Sequence, residues 1–541
     1  MKKFLSILII FALLLALATT FVACSPKPEE STTTTVTTEP EPPKEDVIEI
    51  IDGYIWVNGV NTGIKAEDCP HVWETVTTAP TCSSEGYDTI SCQLCGNSAK
   101  TNYTSKLQHT YSTTYSVDDA YHWFACTVCG DAKDKSAHTP DANDICTTCE
   151  MPTTATPGVV YDVSADGTYA EVIGYEGTAT KVKIASEYKG LPVKTIYNKV
   201  FENNKTITHV VIPNTVTSIG DSAFQYCSNL SSVVIGDGVT SIGDYAFYYC
   251  SNLSSVVIPD SVTSIGSYAF YYCSNLSSVV IGDSVTSIGS YAFQYCSNLN
   301  SVVIGDSVTS IGVSAFFYCY NLSSVVIPDG VTNIGSEAFN GCSNLSSVVI
   351  GDSVTSIGNC AFSNCHSSLY TEYEYGKYVK SGDNPYAVLI DLNNDNMSTY
   401  TIHEDTKIIA YGVFRYCNRL TSITIPNGVT GIGNYAFSDC SNLNNVIIGD
   451  SVQIIGDYAF QGCGLTSLIL PHGVKSIGKY ALCASMEFVV IPNTVEYIDY
   501  EAFGYWGTHY DIYFTGTQAE WENVRPTFPS YNTVYYNYVP Q

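Results

Sequence analysis

Hydrophobic residues recur with a period of 23 along the middle of the chain. Two consecutive copies read VTSIGDYAFYYCSNLSSVVIPDS at residues 239–261 and VTSIGSYAFYYCSNLSSVVIGDS at residues 262–284. Counted from the opening valine, position 4 is isoleucine, positions 8 and 9 are alanine and phenylalanine, position 12 is cysteine and position 15 is leucine. A fixed period of this length is typical of a solenoid, in which each coil buries its apolar side chains against the next coil.

Positions 18 to 20 of each copy form a Val-Val-Ile run that predicts a β-strand. Side chains alternate between the two faces of a strand, so positions 18 and 20 join the core and position 19 faces outward. The outward position is a valine in seven successive copies: Val211, Val234, Val257, Val280, Val303, Val326 and Val349. Valine favours strands in general, but an exposed apolar column is also typical of a partner-binding face. The pattern leaves both interpretations open.

Tyrosines form a second outward group, around positions 7, 10 and 11 of the copies. At position 7 they are Tyr245, Tyr268 and Tyr291. Tyrosine supplies a large contact area at a low entropy cost, which favours a role in recognition. A tyrosine is equally suited to covering the outside of a coil. We treat these three as candidates for contact with a partner.

The repeat extends in both directions to about thirteen coils, with an insertion at residues 366–405 whose aromatic runs predict β-strands. The coils open at Val193, Val216, Val239, Val262, Val285, Val308, Val331, Val354, Thr406, Val429, Val452, Val474 and Val495. The motif VTSIGxxAFxxCxxLxSVxIPxS, found over residues 193–515, resembles the BspA-like leucine-rich repeat of bacterial surface proteins. The resemblance implies a mainly β, leucine-rich-repeat solenoid that adheres to a protein or glycan on host or neighbouring cells.

Short segments flank the repeats. Residues 47–66 alternate around two turn dipeptides and predict a small β-hairpin segment. Residues 153–192 predict a β cap for the first coil, and residues 516–541 a cap for the last coil, with Trp521 covering it. Residues 25–46 are mainly proline, threonine and glutamate, which predicts an extended spacer without a core.

The first 24 residues are typical of a bacterial lipoprotein signal peptide. Lys2 and Lys3 precede an apolar run that ends at Ala23. The residues Phe21-Val22-Ala23-Cys24 resemble a lipobox, in which the cysteine is lipidated and becomes the first residue of the mature protein. This predicts attachment through Cys24 to the outer face of the cell membrane. The alternative is an uncleaved anchor, because the apolar run is about long enough to span a membrane.

Residues 67–152 are rich in cysteine and histidine and predict small modules that bind structural zinc. Three cysteine pairs have the CxxC spacing of zinc sites: Cys92/Cys95, Cys126/Cys129 and Cys146/Cys149. In all, twelve residues are candidate ligands, enough for three tetrahedral sites: Cys69, His71, Cys82, Cys92, Cys95, His109, His122, Cys126, Cys129, His138, Cys146 and Cys149. Disulfides are the main alternative, since an exported location permits them. A redox role for the CxxC pairs is a third interpretation.

The net charge and one repeated motif limit the classes of function that the sequence supports. The net charge is −29, from 23 Lys and Arg against 52 Asp and Glu, which argues against nucleic acid as a partner. The Gly-Asp-Ser block that begins at Gly282 looks like a hydrolase nucleophile, but it recurs at Gly305, Gly351 and Gly449 and is therefore structural. The sequence thus predicts a non-enzymatic, surface-anchored binding protein. A structural envelope spacer without a specific ligand is the alternative.

The zinc interpretation predicts metal in the purified protein. We expect about three zinc ions per chain, and we expect a chelator to unfold residues 67–152. Elemental analysis together with a thiol titration would check this expectation. Less than one zinc per chain together with no free thiols in this segment would instead establish the disulfide alternative.

Overall fold

The computed structural model describes residues 154–504, 510–524 and 533–540, residues 133–137 and 139, and the backbone of the strands between residues 48 and 132. The chain divides into two compact units. The first unit contains small three-stranded sheets. Their strands are Ile48–Ile51, Tyr54–Val57 and Val60–Lys65; Trp73–Thr78, Gly86–Cys92 and Ser98–Thr104; and Ser116–Val117, Tyr121–Ala125 and Ala132–Ala137.

The second unit begins with a β cap that extends the first sheet of the solenoid. Strands Val159–Val163 and Ala170–Tyr175 pair antiparallel. The second of them then pairs in parallel with Leu191–Ile196, which is the first strand of the repeats. Ala170 and Val172 are fully buried, so the cap supplies the apolar neighbour that the first coil otherwise lacks. Two shorter strands complete this region, Lys181–Lys183 and Glu187–Tyr188.

Each coil contributes a short strand at positions 3 and 4 of the repeat, and these strands pair in parallel from coil to coil, from Ser218 onward as far as Ile357 and again from Ile408. After Leu191–Ile196 they are Ser218–Ile219, Ser241–Ile242, Ser264–Ile265, Ser287–Ile288, Ser310–Ile311, Asn333–Ile334, Ser356–Ile357, Ile408–Ile409, Gly431–Ile432, Ile454–Ile455, Ser476–Ile477 and Tyr497–Ile498. Thirteen such strands lie within residues 191–498, which confirms the predicted leucine-rich-repeat solenoid.

A longer strand at positions 17 to 20 forms the other side of each coil. These strands are His209–Val211, Ser232–Val234, Ser255–Ile258, Ser278–Ile281, Ser301–Val303, Ser324–Ile327, Ser347–Ile350, Thr399–Thr401, Ser422–Ile425, Asn445–Ile448, Ser467–Ile469 and Phe488–Ile491. Between neighbouring coils the pairing joins residues 23 apart, for example Val256 with Val279 and Ile258 with Ile281. Each side chain therefore lies beside its own counterpart in the next coil.

The core consists of the columns that the periodicity predicts. The phenylalanines of position 9 form a ladder in which Phe270 lies 5.1 Å from Phe247 and 5.2 Å from Phe293, with the ring planes nearly parallel. The leucine, cysteine and alanine columns are buried beside it. The valine that opens each coil is also buried, as Val262 shows with no exposed surface. The periodicity did not identify this valine at position 1 as buried, so one core column was not predicted.

Glycine at position 5 allows neighbouring coils to approach closely. A Cβ added to Gly266 would lie 2.5 Å from the carbonyl carbon of Gly243 in the preceding coil. Any side chain there would therefore force the backbones of the two coils apart. This explains why the column holds glycine although the backbone of Gly266 is not left-handed.

The insertion is built of strands, as its aromatic runs predict. A short 3₁₀ helix at Ser367–Leu369 leads into strands Tyr370–Tyr373, Gly376–Ser381 and Asn384–Leu392, which pair antiparallel in that order. The third strand then pairs in parallel with Ile408–Ile409, so it provides the edge on which the next coil stacks. The hydroxyls of Tyr378 and Tyr400 lie 2.8 Å apart in the core beneath it.

A strand and a helix follow the last coil. Strand Asp511–Phe514 pairs in parallel with Phe488–Ile491 and is followed by helix Gln518–Val524. Thr517 and Glu520 form a capping box at the start of this helix. Trp521 is buried against Phe514, at 5.2 Å between ring centroids. A final strand is Val534–Tyr535, and no helix in the described part of the chain is long and apolar enough to cross a membrane.

The phenylalanine ladder predicts a large effect for one truncation. Phe270→Ala should destabilise the solenoid by about 3–5 kcal/mol, because a fully buried ring stacked on both faces leaves a cavity. Phe317→Ala is the matched control, since Phe317 lies outside the ladder and is only half-buried; we expect about 1 kcal/mol or less. Urea unfolding followed by circular dichroism would measure both. Equal shifts for the two variants would contradict the assignment of the ladder as the core.

Candidate binding surface

The valine column at position 19 lies on the outer face of the long strands. Val257 is 63% exposed and Val280 is 43% exposed. Four other members are half-buried: Val234, Val303, Val326 and Val349. The prediction is wrong at Val211, which lies in the first coil beside the cap and is only 3% exposed. For the other six the outward direction is as predicted, and the exposure is largest in two central coils.

The same column continues beyond the insertion with a different composition. Ile447 is 57% exposed and Ile469 is 56% exposed. Before Ile447 the column holds Thr401, near the end of the insertion, and Thr424, which are also exposed. Threonine is β-branched like valine and serves a strand equally well. The valines are thus more apolar than this strand position requires.

The tyrosines lie where the backbone is left-handed. Tyr245, Tyr249, Tyr268 and Tyr272 have φ between 57° and 58°. This conformation costs a non-glycine residue roughly 1–2 kcal/mol. The same two positions of other coils are occupied by smaller residues, for example Ser222, Ser314 and Gly341. The sequence pattern did not reveal this conformation, because glycine or asparagine is the usual sign of it.

Ring stacking along the solenoid offsets that cost. At position 7, the centroids of Tyr245 and Tyr268 lie 4.8 Å apart and those of Tyr268 and Tyr291 lie 4.5 Å apart, with planes inclined by 4° and 11°. At position 11, Tyr249 and Tyr272 stack at 4.5 Å. An aromatic pair of this kind contributes about 0.5–1.5 kcal/mol beyond its buried area. The free energy gained from ring stacking therefore nearly offsets the cost of the left-handed backbone.

We call this group the tyrosine strip, and it spans five coils. Its members are Tyr226, Tyr245, Tyr248, Tyr249, Tyr268, Tyr271, Tyr272, Tyr291, Tyr295 and Tyr318. Rings of position 10 link the two columns, since Tyr248 lies 5.5 Å from Tyr245 and 4.9 Å from Tyr249. Burial, with the neighbouring phenols, raises the pKa of Tyr248 to about 12, so its hydroxyl remains protonated at neutral pH.

The coils that carry the tyrosine strip have only acidic charges. The chain contains no lysine or arginine between Lys205 and Lys377. Nine carboxylates lie between residues 206 and 353: Asp221, Asp237, Asp244, Asp260, Asp283, Asp306, Asp329, Glu337 and Asp352. Asp244 directly precedes Tyr245 and is exposed, and Asp221 is exposed one coil earlier. The field around the strip is therefore negative.

The cysteine column of position 12 is structural. Its members are free thiols, buried with no exposed surface from Cys227 to Cys342. Each thiol donates a hydrogen bond to a phenylalanine carbonyl, as from Cys273 Sγ to the Phe247 oxygen at 3.3 Å. Burial raises the pKa of Cys227 to about 12, which keeps it protonated. The column therefore consists of buried thiols and not of disulfides between neighbouring coils.

Most of the predicted metal and lipid positions lie outside the described residues. Cys92 ends strand Gly86–Cys92, and His122 lies in strand Tyr121–Ala125. The other ten candidate zinc ligands, and Cys24, are outside the part of the chain that the structure describes. Within the described part, no cluster of three or more His, Cys, Asp or Glu has the arrangement of a metal site. The zinc hypothesis remains a prediction.

The Gly-Asp-Ser block has a structural role in the turns between coils. The backbone N–H of Asp283 donates to Asp260 Oδ1 of the preceding coil at 2.9 Å. The same bond recurs from Asp352 N–H to Asp329 Oδ1 at 3.1 Å. The aspartates of this turn thus stabilise the turn of the next coil, in agreement with the structural interpretation of the repeated block.

Comparison with known protein families gives one match, to the BspA type leucine rich repeat region. It covers residues 194–323, 309–384 and 407–523, which is more than half of the chain. The matched region begins in the first coil, includes the first two strands of the insertion and ends in the C-terminal helix. No curated protein matches the chain significantly.

Several solved structures are similar to the chain. A leucine rich cell surface protein from Faecalibacterium prausnitzii is 30% identical over 70% of this chain and 98% of its own, with a TM-score of 0.35. A leucine-rich repeat protein from Bacteroides ovatus is 25% identical over 71% and 99%, with a TM-score of 0.40. The leucine rich repeat protein of T. pallidum is 32% identical over 36% and 91%, with a TM-score of 0.34.

The buried thiols predict a clear pattern of chemical labelling. In the native protein at pH 8, iodoacetamide should label the exposed Cys360, while the cysteines from Cys227 to Cys342 react only after unfolding. Mass spectrometry of chymotryptic peptides suits this region, which offers trypsin no cleavage site. Rapid labelling of the column in the native protein, or its protection after unfolding without reductant, would contradict the assignment.

Proposed function

Because the chain belongs to the BspA-type leucine-rich repeat family, we propose that it is a non-catalytic cell-surface protein that binds a macromolecule on a host cell or a neighbouring cell. The family match covers the solenoid, and one similar protein is described as a cell surface protein. Repeat solenoids offer extended surfaces of this kind for binding. The partner is a protein or a glycan.

The exposed valine column is the observation that carries this proposal. Packing between coils explains why positions 18 and 20 are apolar, because both are buried, as Val256 and Ile258 are. It does not explain Val257, which is 63% exposed on the same strand. Strand propensity does not require valine either, since threonine occupies the column at Thr401 and Thr424. A contiguous exposed apolar column is characteristic of a surface that binds another molecule.

In this proposal, the N-terminal segment attaches the protein to the cell membrane. Cys24 carries the lipid, and residues 25–46 separate the folded units from the membrane. Residues 67–152 form small modules stabilised by zinc. These three assignments rest on the sequence pattern alone.

The valine column can be tested by changing its charge. The variant Val257→Lys/Val280→Lys/Val303→Lys should lose at least about tenfold in binding to epithelial cells and to whole bacteria, because three ammonium groups disrupt an apolar contact. The fluorescently labelled full chain would be measured by flow cytometry on both cell types. Circular dichroism should show an unchanged fold, since the column does not contribute to the core.

Threonine provides the matched control at the same three positions. Val257→Thr/Val280→Thr/Val303→Thr keeps the β-branched shape and should lose less binding than the lysine variant. Binding that is equal for the wild type and the lysine variant would exclude the valine column as the binding site. Absence of binding by the wild type to either cell type would favour the structural spacer.

A further inference from the structure

The tyrosine strip presents ring edges and hydroxyls rather than ring faces. Tyr268 lies between Tyr245 and Tyr291, whose rings cover both of its faces at 4.8 and 4.5 Å. A sugar ring that stacks on an aromatic side chain needs an uncovered face, which the interior of this column does not offer. The column instead consists of parallel ridges, the ring edges, which are in contact and leave no groove between successive rings.

The spacing of these ridges matches one kind of polypeptide. Adjacent rings at position 7 are separated by 4.8 and 4.5 Å, so alternate rings lie about 9 Å apart. A polyproline II helix has three residues per turn and a rise of about 3.1 Å per residue, so it repeats every ~9 Å. Residues three apart in such a helix therefore meet equivalent rings two coils apart, such as Tyr245 and Tyr291. The match covers the three stacked rings of position 7.

The tyrosine hydroxyls fit the hydrogen-bonding needs of that helix. The backbone of a polyproline II helix makes no internal hydrogen bonds, and its carbonyls are free acceptors. The pKa of Tyr271 is raised, mainly by burial, and that of Tyr248 is raised to about 12, so both hydroxyls are protonated donors at neutral pH. Exposed aromatic side chains are a general means of recognition for proline-rich segments.

The negative charge around the tyrosine strip determines which sign of charge a partner must have. No lysine or arginine occurs between Lys205 and Lys377, and nine carboxylates lie on the coils there. Asp221 and Asp244 are exposed and adjoin the first rings of the position 7 column. A cationic segment is therefore attracted to this surface and an anionic one is repelled.

We propose that the tyrosine strip binds a basic, proline-rich polypeptide segment in the polyproline II conformation. This inference rests on the proposed function and names the partner class of the same solenoid. Prolines of the segment pack on the ring edges, its carbonyls accept from tyrosine hydroxyls, and its lysine or arginine side chains pair with Asp221 and Asp244. The strip accommodates about two turns of such a segment.

Peptide binding to the full chain tests the inference. A labelled peptide of Arg-Pro-Pro repeats, about twelve residues long, should bind more tightly than an Arg-Gly-Ser peptide of equal charge. It should also bind more tightly than a Glu-Pro-Pro peptide, and its affinity should fall as salt is raised. Fluorescence anisotropy measures the affinities. Equal binding of the Arg-Pro-Pro and Arg-Gly-Ser peptides would overturn the inference.

Serine is a suitable replacement for the position 7 tyrosines. Ser222 and Ser314 already occupy this position with the same left-handed backbone, at φ of 55° and 52°. The variant Tyr245→Ser/Tyr268→Ser/Tyr291→Ser should therefore fold and should weaken Arg-Pro-Pro binding by about tenfold or more. Tyr435→Ser/Tyr458→Ser is the matched control, because these rings also stack, at 4.6 Å, but lie near the cationic Arg415. We expect it to change binding by less than about twofold.

An aspartate variant separates charge from shape. Asn198 and Asn434 occupy the position of Asp221 and Asp244 in other coils and accept the same backbone hydrogen bond. Asp221→Asn/Asp244→Asn should therefore keep the fold while weakening Arg-Pro-Pro binding about threefold and reducing its salt dependence. An affinity that does not change would overturn the charge part of the inference.

The remaining outcomes distinguish this inference from the proposed function. Cell binding that is lost in the valine-to-lysine variant but kept in the serine variant would overturn the tyrosine strip as the site and leave the proposed function intact. A soluble polysaccharide that binds in place of the Arg-Pro-Pro peptide, and is lost in the serine variant, would replace the polypeptide by a glycan. If the serine variant does not fold, the affinities of the wild type for the three peptides still test the inference.

Discussion

Stacking of each coil on a nearly identical neighbour is the constraint on which the rest of the structure depends. A coil of this size cannot enclose its own apolar residues, so Phe270 is buried only because Phe247 and Phe293 cover its two faces. The residue at each repeat position must therefore pack well against the same kind of residue in the next coil. Threonine meets this condition when its hydroxyl donates to the carbonyl of the preceding threonine, as from Thr263 to Thr240 at 3.1 Å. Aspartate meets it through the turn bond from Asp283 N–H to Asp260 Oδ1.

This constraint explains why the fold was readable from the sequence. A residue that must match its own copy produces a strict period, so strand positions and most core columns followed from counting. The opening valine was missed, because a period by itself does not say which columns face inward. The insertion was recognised as strand-forming, but its role as the edge beneath Ile408–Ile409 depends on pairing that no local pattern encodes.

The binding surface was less predictable for a physical reason. Side chains that face solvent do not pack against their copies in the next coil, so the period does not constrain them. Their exposed fraction depends instead on the neighbouring loops and strands. Alternation predicted the direction of the valine column, yet Val257 is largely exposed while Val349 is half-buried at the edge where Gly382 N–H bonds to the Val348 carbonyl. The left-handed backbone at Tyr245 and Tyr268 has no sequence sign, because bulky tyrosine occupies a place where glycine is expected.

The identity of neighbouring coils also has a genetic consequence. Each coil contacts only the coils beside it, and the coils that carry the tyrosines are almost the same in sequence. Unequal recombination between their coding repeats would delete or duplicate a whole coil in frame and would join surfaces that already match. Such events would leave both caps unaltered while changing the number of rings in register. The length of the aromatic surface is therefore a trait that can vary in whole-coil steps among descendants of one gene.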